Sequence, residues 1–286
     1  EGVNQVMRGV PVAKVIEGVK FGIAQALEHV KAHSRTIANL EDPVLKNIAM
    51  IAGREHQDIA DLVIEATRLI GTDKLHENNF KLADIITAQE GATNEVFSGV
   101  LVEKERMNKE MPERIEAAKV LLIDDALEPE EIGGEALGTD SGFKKFSELK
   151  IEFKDNVKKI VALGVNAVFI DRGLHSDGEE ILTDAGIMVV QRVPTRDLRR
   201  VAEHTGARMM KRTGLKKDLA DLERYAGFAD IIYEDEKLEH IRIVGGKSKP
   251  MATILVGAAT EEVVGERMRI AKDAAASVQA AVKGGY

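Results

Sequence analysis

Residues 165–210, VNAVFIDRGLHSDGEEILTDAGIMVVQRVPTRDLRRVAEHTGARMM, alternate between two local patterns. Short apolar runs predict β-strands at 165–171, 187–193 and 207–212, and the amphipathic segments between them predict helices. Strands that alternate with helices are typical of an α/β unit with some parallel pairing. Similar strand patterns on either side extend the predicted α/β domain to residues 119–258, a common size for one domain.

Helical periodicity dominates both ends of the chain. Apolar residues at three- and four-residue steps predict a long amphipathic helix from Pro11, and further helices that are interrupted at Gly53 and end at Gly71. After Thr260, a good N-cap residue followed by acidic residues, the helical period returns until Gly284. The simplest organisation is a discontinuous helical module into which the α/β domain is inserted.

Composition limits the classes of partner. With 286 residues, 44% of them hydrophobic, the chain can fill the cores of roughly two domains. Its net charge of -8 repels nucleic-acid phosphates and anionic lipid, and it has no cysteine and no apolar run of about 18 residues. We therefore expect no nucleic acid, no membrane and a cytoplasmic location. The first residue is Glu1 and no leader pattern follows it, which suggests a processed chain or an excised piece.

Most searches for a chemical motif fail. Residues 244–250, VGGKSKP, contain the GKS of a phosphate loop but lack its earlier glycine, and Pro250 opposes the helix that should begin there. His29 and His33 lie one helical turn apart without a third ligand, so a solvated helix face is favoured over a metal site. Acidic residues interrupt the basic clusters of 194–217, which favours a mixed-charge helix surface over a nucleic-acid interface.

The segment 139–160 carries an apolar stripe at helical spacing, and it contains three of the chain's eight Phe residues. One interpretation is a stripe that faces the core, and the other is an exposed amphipathic element that binds apolar partners. The pattern leaves both open. The stripe consists of Phe143, Phe146, Leu149, Phe153, Val157 and Ile160.

The order of several segments resembles the archaeal-type (thermosome/CCT-like) chaperonins. Residues 111–128 (MPERIEAAKVLLIDDALE), 164–210 and 252–285 (ATILVGAATEEVVGERMRIAKDAAASVQAAVKGG) resemble the apical and intermediate domains of that family. Residues 11–30 resemble its last equatorial helix. The compact stretch 50–66, MIAGREHQDIADLVIEA, departs from the longer archaeal pattern and is similar to the bacterial branch called group III.

The resemblance implies a fold of the α/β and α+β classes with three parts. Residues 1–37 would be a remnant of an equatorial helix, and residues 38–118 and 259–286 a helical, discontinuous intermediate domain. Residues 119–258 would form an inserted α/β apical domain, which binds substrate and bears a helical lid protrusion at about 139–160.

The resemblance also implies roles for single residues. Asp273 matches the carboxylate that positions the water attacking ATP, whereas the alternative is an ordinary surface ion pair with Arg269. Arg54 stands near the place of a side chain that senses the γ-phosphate. Gly284 and Gly285 match the hinge into the equatorial domain, because glycine accepts large backbone rotations.

The protein implied by the resemblance is an ATP-driven chaperonin, in which copies of the subunit form stacked rings that bind and enclose unfolded polypeptides. It would use ATP and Mg²⁺, but the phosphate loop and metal-binding Asp of the family belong to sequence outside this chain. We therefore expect no cofactor and no ATP hydrolysis in the chain alone. The alternatives are an ATP-independent polypeptide-binding module and a small-molecule α/β enzyme. The polypeptide-binding lid residues would be Phe143, Phe146, Leu149 and Phe153.

Overall fold

The computed structural model describes residues 1–131 and 139–286. The helices are Gly2–Met7 (α1), Val12–His33 (α2), Pro43–Ala52 (α3), Gln57–Ile70 (α4), Thr72–His76 (α5), Asp140–Ala162 (α6), Ser176–Asp184 (α7), Thr195–Thr205 (α8), Leu219–Glu223 (α9) and Glu261–Gly284 (α10). The strands are Ile86–Glu90 (β1), Glu95–Val102 (β2), Arg114–Ile123 (β3), Ala167–Ile170 (β4), Met188–Val190 (β5), Met209–Met210 (β6), Gly227–Asp235 (β7), His240–Val244 (β8) and Ala252–Ala258 (β9). Short 3₁₀ turns occupy Leu82–Ile85 and Arg212–Lys216.

The described strands form one mixed sheet in the order β1-β9-β2-β8-β7-β3-β4-β5, with β6 also beside β3. Strands β3, β4, β5 and β6 are joined by parallel pairing, whereas β7 and β8 are antiparallel. In the parallel part, Val168 lies opposite both Leu121 and Val189. The predicted α/β and α+β fold class is confirmed, and the strand predicted at 207–212 is reduced to the two residues of β6.

Apolar packing divides residues 43–131 and 139–285 into two units. The flanking unit, residues 43–98 and 252–285, buries α3, α4 and α10 against β1 and β9. The inserted unit, residues 99–131 and 139–251, has a core on each face of its part of the sheet. The predicted boundaries at 118/119 and 258/259 do not follow this packing. The reason is that β9 packs with α10, whereas the end of β2 and all of β3 pack with the inserted unit.

Helix α2 is the amphipathic helix predicted after Pro11, and none of its residues is buried. Its apolar stripe is exposed to solvent, and it contributes to neither core. Three of the exposed side chains are Ile16, Phe21 and Leu27.

A buried polar network lies where the sheet passes from one unit to the other. His240 is fully buried on β8, and its Nε2 accepts a hydrogen bond of 3.0 Å from Nε of Arg242. Its Nδ1 therefore carries the proton, which it donates to Oε1 of Gln89 on β1 at 3.1 Å. Arg242 also pairs with Glu95 at 2.6 Å and Asp235 at 3.5 Å. Burial, and then the charge of Arg242, lower the pKa of His240 from 6.5 to about 4.

Acid should therefore weaken the fold through His240. The unfolded chain binds a proton near pH 6.5 and the folded chain only near pH 4, so stability is complete above pH 6.5 and is lost as the pH falls through this window. The loss should reach about 3 kcal/mol. Urea unfolding between pH 4 and 7.5 measures it, and His240→Gln should flatten the dependence. Equal pH slopes in both proteins would contradict the assignment.

Candidate functional site

The loop between α3 and α4 is held in a strained conformation against α10. Arg54 and Glu55 are consecutive non-glycine residues with φ of 52° and 64°, a left-handed conformation that costs about 1–3 kcal/mol per residue. At Gly53 an added Cβ would lie 2.7 Å from the carbonyl oxygen of Ala49 and 3.5 Å from Cβ of Ala274. Glycine therefore relieves crowding against Ala49 at the end of α3, whereas the distance to Ala274 on α10 is an ordinary van der Waals contact.

Helix α10 turns a small-residue face toward α3 and α4 and leaves Asp273 exposed. Alanine suits this face because it has the highest helix propensity and lets neighbouring helices approach closely. Asp273 lies between Ala271 and Ala274 in sequence, but on the exposed side of the helix, so its carboxylate points to solvent. The buried residues of the face are Ala271, Ala274, Ala275 and Val278.

Glu266 on α10 joins the loop to the helix. It accepts a hydrogen bond of 2.6 Å from Arg54 and another of 3.0 Å from Arg269. Arg269 is thus engaged one turn toward the N-terminus, and the alternative of an Asp273–Arg269 ion pair is wrong. Within residues 1–131 and 139–286, no side-chain hydrogen bond or ion pair engages Asp273. Its carboxylate is free to interact with solvent or a ligand.

A second clamp holds the first half of α10. Arg267 donates to Asp58 at 2.5 Å and to the carbonyl of Gly257 at 2.6 Å. Asn94 donates to Asp58 at 2.9 Å and accepts from the amide of Gly257 at 2.7 Å. Burial works to raise the pKa of Asp58, but the hydrogen bonds from Arg267 and Asn94 outweigh it and lower that pKa. These hydrogen bonds therefore join α10, α4 and β9 into one framework.

The two glycines predicted as a hinge lie at the end of α10. Gly285 has φ of 87°, and a Cβ there would lie 2.6 Å from the carbonyl oxygen of Arg35. Tyr286 and Arg35 exchange two backbone hydrogen bonds, of 2.9 and 3.0 Å, which hold this terminus beside the segment after α2. Glycine is required at position 285, and the hinge role of Gly284 and Gly285 stays a prediction.

The predicted lid helix is α6, and its stripe changes environment along its length. Thr139 caps the helix by accepting a hydrogen bond of 3.0 Å from the amide of Gly142. Phe143 is 65% exposed and Phe146 is half-buried, whereas Leu149 and Phe153 are only 7% and 5% exposed. The prediction of a polypeptide-binding surface at Leu149 and Phe153 is therefore wrong. Both side chains are buried, because this part of α6 packs over the sheet and α7.

The structure brings two of the predicted site residues onto one framework. Arg54 follows Gly53, which touches Ala274, the neighbour of Asp273. The exposed end of α6 lies in the other unit. Sequence reasoning missed Glu266, because its partner Arg54 is 212 residues away and no local pattern joins them.

Neither a metal cluster nor a membrane span is evident in the described ranges. No group of three or more His, Asp or Glu side chains there could hold a metal ion. No helix in that part of the chain is long and apolar enough to cross a membrane.

Comparison with known proteins covers the whole chain. A family model described as the TCP-1/cpn60 chaperonin family matches residues 1–286. The thermosome subunit beta of Archaeoglobus fulgidus is 32% identical, over 96% of this chain and 52% of its own length. The thermosome subunit of Methanocaldococcus jannaschii is 29% identical, over 95% of this chain and 52% of its own. The chain thus spans about half the length of these relatives.

Two solved chaperonin structures are similar to this chain. The crystal structure of a group III chaperonin in the open state has a TM-score of 0.86 and 38% identity, over 99% of this chain and 57% of that chain. An open-state monomer of a group II chaperonin from Methanococcoides burtonii has a TM-score of 0.66 at 24% identity, a likeness of fold alone.

The different burial of two Phe side chains on α6 gives a stability test. Phe153→Ala should destabilise the fold by about 3–5 kcal/mol, because it leaves a cavity in the core. Phe143→Ala should change stability by less than about 0.5 kcal/mol, because that ring is already in solvent. Urea unfolding of both variants measures the difference. Equal losses would show that Phe143 is a core residue.

Proposed function

Because the chain belongs to the TCP-1/cpn60 chaperonin family, we propose that it serves in an ATP-dependent chaperonin subunit that captures unfolded polypeptides, encloses them and assists their folding. Copies of the subunit would assemble into stacked rings in the cytoplasm. The similarity to thermosome subunits and to a group III chaperonin supports this function. The flanking unit would be the intermediate domain, and the inserted unit the apical domain, with boundaries near residues 99 and 251.

The free carboxylate of Asp273 is the observation that carries the ATP-dependent part. Phosphoryl transfer to water needs positioning of the attacking water more than covalent help from the protein. An exposed carboxylate on a clamped helix can accept a hydrogen bond from that water and orient its oxygen. We assign this role to Asp273.

Arg54 would contact the γ-phosphate itself, the group that is transferred. Its guanidinium group, on the loop beside α10, is positive and can donate to phosphate oxygens in a fixed geometry. In this structure its partner is Glu266, at 2.6 Å. One carboxylate and one guanidinium fit the water and γ-phosphate end of ATP. ATP would supply the phosphoryl group, and Mg²⁺ would neutralise its phosphates.

The polypeptide-binding part of the proposal is restricted to the exposed end of α6. Phe143 presents most of its ring to solvent, and Phe146 lies one turn further along, half-buried. Exposed aromatic surface on a helix end is suited to unfolded chains, whose apolar side chains are accessible.

The catalytic half is tested by Asp273→Ala in a subunit of full family length. Nucleotide affinity should stay nearly the same, because the carboxylate contacts water, while single-turnover hydrolysis should fall by about 10²-fold or more. Stability should not fall, because alanine favours the helix. Glu65→Ala, which removes an exposed carboxylate from α4, is the matched control. Unchanged hydrolysis in Asp273→Ala would exclude the role, and an ATP-independent binding module would then be favoured.

The binding half is tested by replacing Phe143 and Phe146 with Ser. Capture of a denatured client should weaken several-fold while the melting temperature stays nearly constant. The control is Phe228→Ser, which removes another half-exposed ring from the inserted unit. If the control weakens capture equally, the end of α6 is not the binding surface.

A further inference from the structure

A short segment connects the two units at a place separate from the sheet. This bridge segment, residues 72–82, contains α5 and the turn after it. One side of it contacts α10 of the flanking unit, and the other side contacts α8 of the inserted unit. Elsewhere the units are joined by β2, by the contacts of His240 and Arg242 at the sheet, and by a hydrogen bond of 3.2 Å from Arg200 of α8 to Thr253 of β9. The bridge segment adds an attachment that is independent of the sheet.

Gln279 makes the contact with α10. It is buried, and its Nε2 donates to the carbonyls of Leu75 and Phe80, both at 2.9 Å. Its Oε1 accepts from the amide of Leu82, also at 2.9 Å. The side-chain amide of Gln279 therefore uses both its donor and its acceptor groups on the bridge segment. Because of these bonds, we expect the bridge segment to move with α10. Gln279 lies six residues after Asp273 on the same helix.

Lys74 makes the contact with the inserted unit. Its Nζ lies 2.8 Å from Glu77 and 2.7 Å from Glu203 of α8, and its side chain is 7% exposed. Burial works to lower the pKa of Lys74, but the hydrogen bonds that Lys74 donates to Glu203 and Glu77 outweigh it and raise that pKa. A buried cation that loses a carboxylate is left poorly compensated. Rotation of the inserted unit away from Lys74 is thus unfavourable.

A second ion pair, between Lys249 and Glu77, joins the units at the same place. The amide of Lys249 donates to the carbonyl of Glu203 at 3.0 Å, and its side chain reaches Glu77 at 3.3 Å. Glu77 is therefore shared by one lysine from each unit, and its pKa is lowered, chiefly by the hydrogen bond from Lys74.

We propose that Gln279 and Lys74 are positioning residues that fix the angle between the two units and transmit a movement of α10 to α8. The bridge segment connects Gln279, through the Leu75 carbonyl, with Lys74, and Lys74 connects with Glu203. The inference rests on the proposed function only for the cause of that movement, which would be the binding and hydrolysis of nucleotide beside Asp273. The link itself, from Gln279 through the bridge segment and Lys74 to Glu203, consists of contacts within this chain.

The angle between the units can be measured by spin labels, because the chain has no cysteine of its own. Cysteines at Glu65 on α4 and Glu148 on α6, both exposed, place one label on each unit. Pulsed electron spin resonance should give one narrow distance distribution for the otherwise unchanged chain. Glu203→Gln should roughly double the width of this distance distribution. Gln279→Met should broaden the distribution by a similar amount, although position 279 makes no hydrogen bond to the inserted unit among the described residues.

Glu223→Gln is the matched control. Glu223 pairs with Lys119 at 2.7 Å, and this pair also joins a mostly buried lysine to a half-exposed glutamate, but within the inserted unit. Its removal should leave the distribution unchanged. A folded Glu203→Gln variant with the original width would overturn the proposal, and so would broadening of equal size in Glu223→Gln.

Hydrogen exchange tests the link even if Gln279→Met does not fold. The Leu82 amide donates to Gln279, so Glu203→Gln should speed its exchange by roughly threefold or more when the bridge segment loosens. Unchanged exchange at Leu82 would overturn the transmission. Nucleotide takes part in none of these measurements. Failure of Asp273→Ala to change hydrolysis would therefore remove the proposed function without affecting the link.

Discussion

The close packing of α10 on α3 and α4 is the constraint on which the rest of the structure depends. Alanines fill this interface, and the end of α3 approaches Ala274 at Gly53. The contact closes an insertion of well over a hundred residues, and the entropic cost of closing a loop grows only slowly with its length. One well-packed helix face can therefore hold the large inserted unit, pair β1 with β9, and place Arg54 and Asp273 on one framework.

The local sequence pattern was sufficient to predict helices and strands, but it was insufficient to predict which residues distant in sequence contact one another. Each strand and helix of 165–210 shows its own periodicity, so the alternation and the parallel pairing of β4 with β5 could be predicted. Phe143 and Phe153 share one stripe, but only the position of the sheet beneath α6 decides which is buried. The pairing of Asp58 with Arg267 spans 209 residues, and no local rule identifies it.

The division by apolar packing differs from the predicted boundaries for a related reason, because one strand belongs to both units. The first half of β2 pairs with β9 and the second half with β8. At the crossing point, a Cβ on Gly99 would lie 2.3 Å from the carbonyl oxygen of Ile243. Only glycine permits the strand to pass between its two partners. Periodicity places a strand here, but it contains no information on which core each half of the strand joins.

Several buried polar contacts lie where the units meet. The buried His240 and Arg242 lie at the sheet joint, beside a small apolar cluster of Leu101, Leu238 and Leu255, and Lys74 lies at the bridge segment. A buried ion pair adds little net stability compared with apolar packing, but it tolerates only a narrow range of geometry. When the units move, each ion of such a pair can exchange its partner for water or another ion. An apolar interface that separates would instead leave a cavity. Each unit has a large apolar core, whereas the joint between them is a shared strand with a small apolar cluster and several polar contacts. The joint is therefore the place where the units can change orientation with the least loss of apolar packing.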